Sequence, residues 1–83
     1  MWYTYVLESF KNKSWYIGCT NDLKSRFNEH NRGKSESTRT SVPFKLIYYE
    51  ACLDRKDAFK REKYLKSGYG RRWLKKRLKF YFL

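Results

Sequence analysis

Arg26 and His30 stand four residues apart in "LKSRFNEH", a spacing that on a helix leaves them about 40° apart on one face. A guanidinium offers a fork of donors suited to phosphate or carboxylate oxygens. The plainer alternative is an amphipathic boundary, with Arg26 lying over Leu23 and Phe27 and His30 solvated or hydrogen-bonded. Glu62, in "DAFKREKYLK", is the stronger anomaly, about 40° from Ala58 and about 60° from Leu65, within the stripe that should face a core. A carboxylate there is costly without a partner. It either pairs with one of the neighbouring lysines or arginines or serves as a ligand for a hard cation such as Mg²⁺, which takes oxygen donors and keeps most of its waters. No two acidic residues are spaced to build a second cage, so a metal, if bound, is a single ion. Tyr5 and Tyr16 alternate with apolar residues on neighbouring strand-like segments and can emerge from one sheet face, though strand tyrosines also simply pack.

The elements that must position these groups follow from periodicity. Trp2–Glu8, "WYTYVLE", alternates aromatic and β-branched residues as a strand does. Lys11–Ser14 is a short polar break, and Trp15–Cys19 returns as a second strand paired antiparallel to the first. Thr20 or Asn21 caps a helix that holds Asp22 in its first turn and runs to about Arg32, before Gly33. Gly33–Val42, "GKSESTRTSV", is a polar loop rich in hydroxyls. The apolar run "FKLIYYEA" after Pro43 suggests a strand buried on both faces, hence central. Asp54–Lys66 forms a helix with Ala58, Leu65 and Tyr69 near one face. "SGYG" at Ser67–Gly70 breaks it, and Arg71–Phe80 forms a last helix. The order β-β-α-β-α-α is that of a small α+β domain.

At 83 residues, 41% hydrophobic and 20% aromatic, the chain is one domain, residues 1–83, whose small core leans on large rings. Its net charge is +12, a field that draws polyanions and makes nucleic acid the expected partner. Arg55–Lys79 carries twelve Lys and Arg against Asp57 and Glu62. A one-signed surface of this kind suits tracking of a nucleic-acid backbone, with Lys63, Lys66, Arg71, Arg72, Lys75 and Lys76 as its expected contacts. No membrane span or signal-peptide order is expected, and a cytoplasmic location is. Cys19 and Cys52 lack metal or redox spacing and suit small buried residues in a reducing compartment.

These residues together resemble the GIY-YIG nuclease domain family, in particular its small stand-alone bacterial endonuclease type. Tyr16-Ile17-Gly18 carries the second triplet intact, Gly18 being its turn, and Tyr3-Thr4-Tyr5 is a degenerate first triplet that keeps the final tyrosine. The family arginine falls on Arg26, its frequent histidine on His30 and its metal-binding glutamate on Glu62. The resemblance implies a three-stranded antiparallel sheet flanked by helices and one divalent cation, Mg²⁺ or Mn²⁺. It also implies endonucleolytic hydrolysis of nucleic acid, DNA ahead of RNA, with structured or repair intermediates among the substrates. In those terms Tyr16, assisted by Tyr5, activates water, Arg26 holds the phosphate, His30 relays a proton or positions the phosphate, and Glu62 anchors the metal. The asparagine of the family's last helix has no counterpart in "RRWLKKRL". The alternative reading is a catalytically weak or inactive nucleic-acid-binding module of the same fold.

Overall fold

The computed structural model describes residues 1–83. Three strands, β1 (Trp2–Ser9), β2 (Trp15–Thr20) and β3 (Phe44–Cys52), form an antiparallel sheet with helices α1 (Leu23–Asn31), α2 (Arg55–Lys66) and α3 (Gly68–Arg77). The expected α+β order is present. The spatial order of the strands is β2-β1-β3, so β1 is central and β3 lies at an edge, contrary to the reading of "FKLIYYEA" as the buried middle strand. β1 takes the centre because it is hydrogen-bonded on both sides, to β2 from Tyr3↔Thr20 to Glu8↔Trp15 and to β3 from Trp2↔Cys52 to Ser9↔Phe44. The second ladder slips at Val6/Leu7, leaving Ile47 unpaired as a bulge.

Alternation along β1 feeds two small cores. Val6 joins Ile17, Leu65 and Leu74 beneath α2 and α3, while Tyr5 and Leu7 join Phe44 on the opposite face, with Leu23 and Phe27 of α1 packed against them. Thr4 ties β1 to α2 through a 3.0 Å hydrogen bond from its hydroxyl to the Ala58 carbonyl. The cap of α1 falls on Asp22, not on the expected Thr20 or Asn21. Asp22 is the N-cap of α1, accepting from the Ser25 amide, and Asp54 caps α2, accepting from the Lys56 amide.

"SGYG" does not form a loop between helices. Ser67 closes α2 and simultaneously caps α3, accepting from the Gly70 amide. Gly70 is required here because a Cβ would collide with the Tyr64 carbonyl and the Leu65 backbone. The last helix consequently begins at Gly68 and ends at Arg77, three residues short of expectation, and Tyr69 is exposed. Gly18 likewise sits in the interior of β2, not at a turn, and Cys19 and Cys52 are half-buried free thiols, not fully buried ones. No helix is long and apolar enough to cross a membrane.

Candidate functional site

The second triplet lies on β2, and strand alternation sends Tyr16 to the face that α1 covers. Tyr5 reaches the same face from β1, with its ring centroid 6.2 Å from that of Tyr16. Gly18 makes this approach sterically feasible: it is the cross-strand partner of Tyr5, and a Cβ at position 18 would lie 2.5 Å from the Tyr5 hydroxyl oxygen. From α1, one turn apart as the i,i+4 spacing requires, come Arg26 and His30. The His30 ring lies 4.6 Å from the Tyr16 ring centroid, and its Nε2 is 3.1 Å from Tyr5 Oη. Four of the five chemistry-bearing residues are thus gathered on one sheet face.

Their environments differ. Tyr5 is 1% exposed, and burial, together with neighbouring Tyr16, pushes its pKa up to about 12 against the pull of Arg26. Tyr16 is half-buried and is the phenol nearer to water. Burial opposes the charge on Arg26, but its hydrogen bond to Glu29 and the neighbouring Tyr5 and Tyr16 phenols outweigh it and hold the guanidinium charged. Its Nη1 donates to Glu29 Oε2 at 3.0 Å. His30 is fully enclosed, and burial and the nearby Arg26 lower its pKa to about 4, so the ring is neutral at pH 7.

Glu62 approaches from α2, on the other face of the sheet, close enough for its charge to oppose ionisation of Tyr5 and of the Cys19 thiol. Its side chain is 14% exposed and carries an ion pair with Lys66, Nζ to Oε2 at 2.7 Å. The ion-pair reading of Glu62 is thus met, by a largely enclosed carboxylate with Lys66 as its partner. No three His, Cys, Asp or Glu side chains gather into a metal cage. A lone carboxylate fits a hard cation that keeps its waters and does not fit a metal needing several protein ligands.

Lys63, Lys66, Arg71, Arg72, Lys75 and Lys76 are all exposed. Arg71 and Lys75 border a cleft with Lys13 and Trp15, where Arg71 stacks 5.4 Å above the indole, whereas Lys63 borders a separate hollow with Lys56, Phe59 and Lys60. Two residues at the site escaped the sequence reading. Glu29, the partner of Arg26, is marked only by its i,i+3 spacing. Thr38, buried against His30 Nδ1 at 2.8 Å, is one of five hydroxyl residues in Gly33–Val42, and nothing local distinguishes it.

A β-β-α-β-α-α sheet domain that sets two strand tyrosines against a helix-borne arginine and histidine, with a glutamate opposite, has the build of a GIY-YIG catalytic domain. The chain belongs to the GIY-YIG family, whose catalytic-domain family model matches residues 1–79. Among small bacterial relatives, it is similar to a UPF0213 protein of Clostridium perfringens, 40% identical over 66 residues that span 78% of this chain and 70% of that protein. It is also similar to a UPF0213 protein of Streptococcus agalactiae, 42% identical over 78% of this chain and 74% of that one. The solution NMR structure of a UPF0213 protein from Bacillus halodurans superposes with a TM-score of 0.54 at 35% identity, covering 89% of this chain and 82% of that chain. Family membership supports nuclease activity and a nucleic-acid substrate.

Proposed function

We propose that the protein is a divalent-metal-dependent endonuclease that hydrolyses phosphodiester bonds of DNA, and that it works in the cytoplasm, where its two free thiols would stay reduced. The observation that supports it is convergence: Tyr5, Tyr16, Arg26 and His30 meet on one face while Glu62 approaches from α2. Tyr16, the more accessible phenol, orients the attacking water and accepts its proton as the water oxygen bonds to phosphorus and the bond to the leaving oxygen breaks. Adjacent positive charge favours the phenolate form that a tyrosine base needs, and Arg26 lies beside both phenols. Arg26 also holds the scissile phosphate and offsets charge developing in the transition state. Buried Tyr5 and neutral His30 keep Tyr16 in place. Mg²⁺ or Mn²⁺, held through Glu62 and otherwise hydrated, would supply Lewis-acid stabilisation of the phosphate oxygens.

The test is incubation of the purified protein with nicked, branched, single-stranded and duplex DNA, and with RNA, in Mg²⁺, Mn²⁺ or EDTA. Expected is cation-dependent cleavage of DNA that disappears in both Arg26→Ala and Glu62→Gln. Cleavage indifferent to both substitutions overturns the assignment. Salt-sensitive binding without cleavage, with Lys66 remaining on Glu62, would instead identify a nucleic-acid-binding module.

A further inference from the structure

Phe59 projects from the outer surface of α2 with 45% of its side chain exposed. Together with Lys56, Lys60 and Lys63 it lines a hollow of about 360 Å³. Helical spacing places Lys56 one turn before the ring and Lys63 one turn after it, with Lys60 at its side. All three lysines are exposed, and none has an acidic partner within ion-pair distance. Asp57 falls about 160° round the helix from Phe59. Glu62, one turn further on, is largely enclosed and already paired with Lys66. The positive charge around the ring is therefore uncompensated.

The ring is braced as well as exposed. The Arg55 guanidinium lies 5.4 Å from the Phe59 ring centroid and 5.3 Å from that of Trp2 on β1, so one cation ties the ring to the sheet. Arg55 is not a wall of the hollow, and the ring surface turned toward the lysines is left bare. A lone exposed phenylalanine is ordinary. A braced ring framed by three unpaired ammonium groups is not, and it matches what unpaired nucleotides need, a π face for a base and point charges for phosphates. Lys56 to Lys63 spans about 10.5 Å along the helix axis, roughly three stacked nucleotides at 3.4 Å each. A membrane surface is matched less well, because Ala58 and Leu65, the apolar side of α2, are consumed by the core and on this face one ring is left for insertion.

We propose that Phe59 is a stacking platform for one unpaired nucleobase, with Lys56, Lys60 and Lys63 holding the phosphates on either side of it. Phe59 and Glu62 are neighbours at i,i+3 spacing on α2, so a strand seated on the ring runs beside the Glu62 carboxylate. The catalytic consequence rests on the nuclease reading above: the nucleotide held on Phe59 lies near the phosphate that is cut. Binding at Phe59 itself requires neither a metal nor cleavage.

The test is the affinity of the full-length protein, in EDTA, for a short fluorescein-labelled DNA single strand, read by anisotropy. The matching duplex and the same strand with abasic sites, which keep every phosphate and remove the bases, are measured beside it. The wild type should bind the abasic strand about tenfold or more weakly than the intact one. Phe59→Leu should lose about tenfold on the intact strand, lose nothing on the abasic strand or the duplex, and keep the wild-type salt slope. Phe59→Trp should restore binding. Replacing Lys56, Lys60 and Lys63 by glutamine should flatten the slope of log K against log salt on the single strand by about 2.1, at about 0.7 for each contact. Equal wild-type affinity for intact and abasic strands overturns the proposal even where no variant folds. A Phe59→Leu protein that binds the intact strand as the wild type does, or that loses as much on duplex, overturns it equally. Phe59-dependent binding to phosphatidylserine vesicles, with no such dependence on the single strand, would assign the face to a membrane and also overturn it. If the strands bind as expected but the wild type cleaves nothing in Mg²⁺, the nuclease reading fails and the Phe59 site stands.

Discussion

Tyr5 and Gly18 face each other across the β1–β2 ladder, and the Tyr5 phenol occupies the space that a side chain at position 18 would need. A Cβ there would stand 2.5 Å from Tyr5 Oη, 2.7 Å from its Cζ and 3.0 Å from Tyr16 Cε1. The glycine of the second triplet is therefore a condition for having two phenols on one sheet face. Tyr5 is enclosed on every side and has no free space to yield into. Gly18→Ala should destabilise the fold by roughly 1–3 kcal/mol, as overpacking does, and should lower kcat/KM by about 100-fold because both phenols shift. Urea unfolding and cleavage rates read the two effects separately. Wild-type turnover in this variant would show that the phenols are not held where the chemistry needs them.

His30 gives the fold a built-in acid sensitivity. Its folded-state pKa of about 4 lies below the ordinary 6.5, so the unfolded chain takes up the proton first. The stability associated with the neutral ring is complete above pH 6.5 and is lost as pH falls toward 4, by on the order of 3 kcal/mol. Around the ring stand Tyr5 and Thr38 as hydrogen-bond partners, Tyr16 and Phe44 as packing, Arg26 opposing its protonation and Glu29 weakly favouring it. Urea unfolding of the wild type and of His30→Gln between pH 7 and 4 should therefore show a steeper loss in the wild type. Parallel slopes would mean that the ring is accessible to protons in the folded state.

The difference between what the sequence disclosed and what it hid has a physical origin. Period-2 and period-3.6 patterns mark all six elements, because these signals are local, although the cap of α1 is Asp22 and not Thr20 or Asn21. Strand order is not local: "FKLIYYEA" looks central by its apolar run, yet β1, with Thr4, Glu8 and Ser9 among its buried residues, takes the middle position by pairing on both sides. Ser67 is a similar case, since one hydroxyl residue caps two successive helices and converts an apparent break into a corner. Among the site residues, Arg26, His30 and Glu62 stood out by helical spacing, and Tyr5 and Tyr16 by strand alternation. Thr38 did not, because its role depends on a loop folding back onto α1 and no periodicity records that.

Arg26 bears more than one duty, and lysine should not replace it. The guanidinium bonds to Glu29 while lying beside both phenols, an arrangement that relies on several donors in a planar fork. Lysine would keep the charge but lose the geometry. Arg26→Lys should fold normally and lose about 100-fold in kcat, the scale seen when one transition-state donor is removed. Activity within threefold of wild type would show that only the positive charge matters.

Lys66 occupies Glu62, its Nζ 2.7 Å from Oε2, so a cation held there would have to displace it. The lysine is more than half exposed, so the ion pair is weak and exchanges readily. Lys66→Gln should therefore lower the Mg²⁺ concentration for half-maximal activity by roughly threefold, whereas Glu62→Gln should abolish the Mg²⁺ response altogether. Mg²⁺ titrations of cleavage at constant ionic strength separate the two. A higher Mg²⁺ requirement in Lys66→Gln would instead mean that the lysine helps to assemble the site.

The positive charges of α2 and α3 are not equivalent, although the net charge counts them alike. Arg61 bonds to Glu50 at 2.8 Å and stacks 4.4 Å above Trp73, so it is already committed within the fold. Arg71, Arg72, Lys75 and Lys76 are exposed and have no acidic partner within ion-pair distance. Only charges free to displace counterions from phosphates contribute to the salt dependence of binding, by about 0.9 in log–log slope for each duplex contact. Replacing all four by glutamine should therefore flatten the slope of log K against log salt by about 3.6, measured on the Glu62→Gln background so that binding alone is read. Arg61→Gln on that background should leave the slope unchanged and reduce stability, because its partners are Glu50 and Trp73 and not a phosphate. Equal slopes for Arg61→Gln and the four-residue variant would mean that the polyanion is drawn by overall charge and not by the α3 surface.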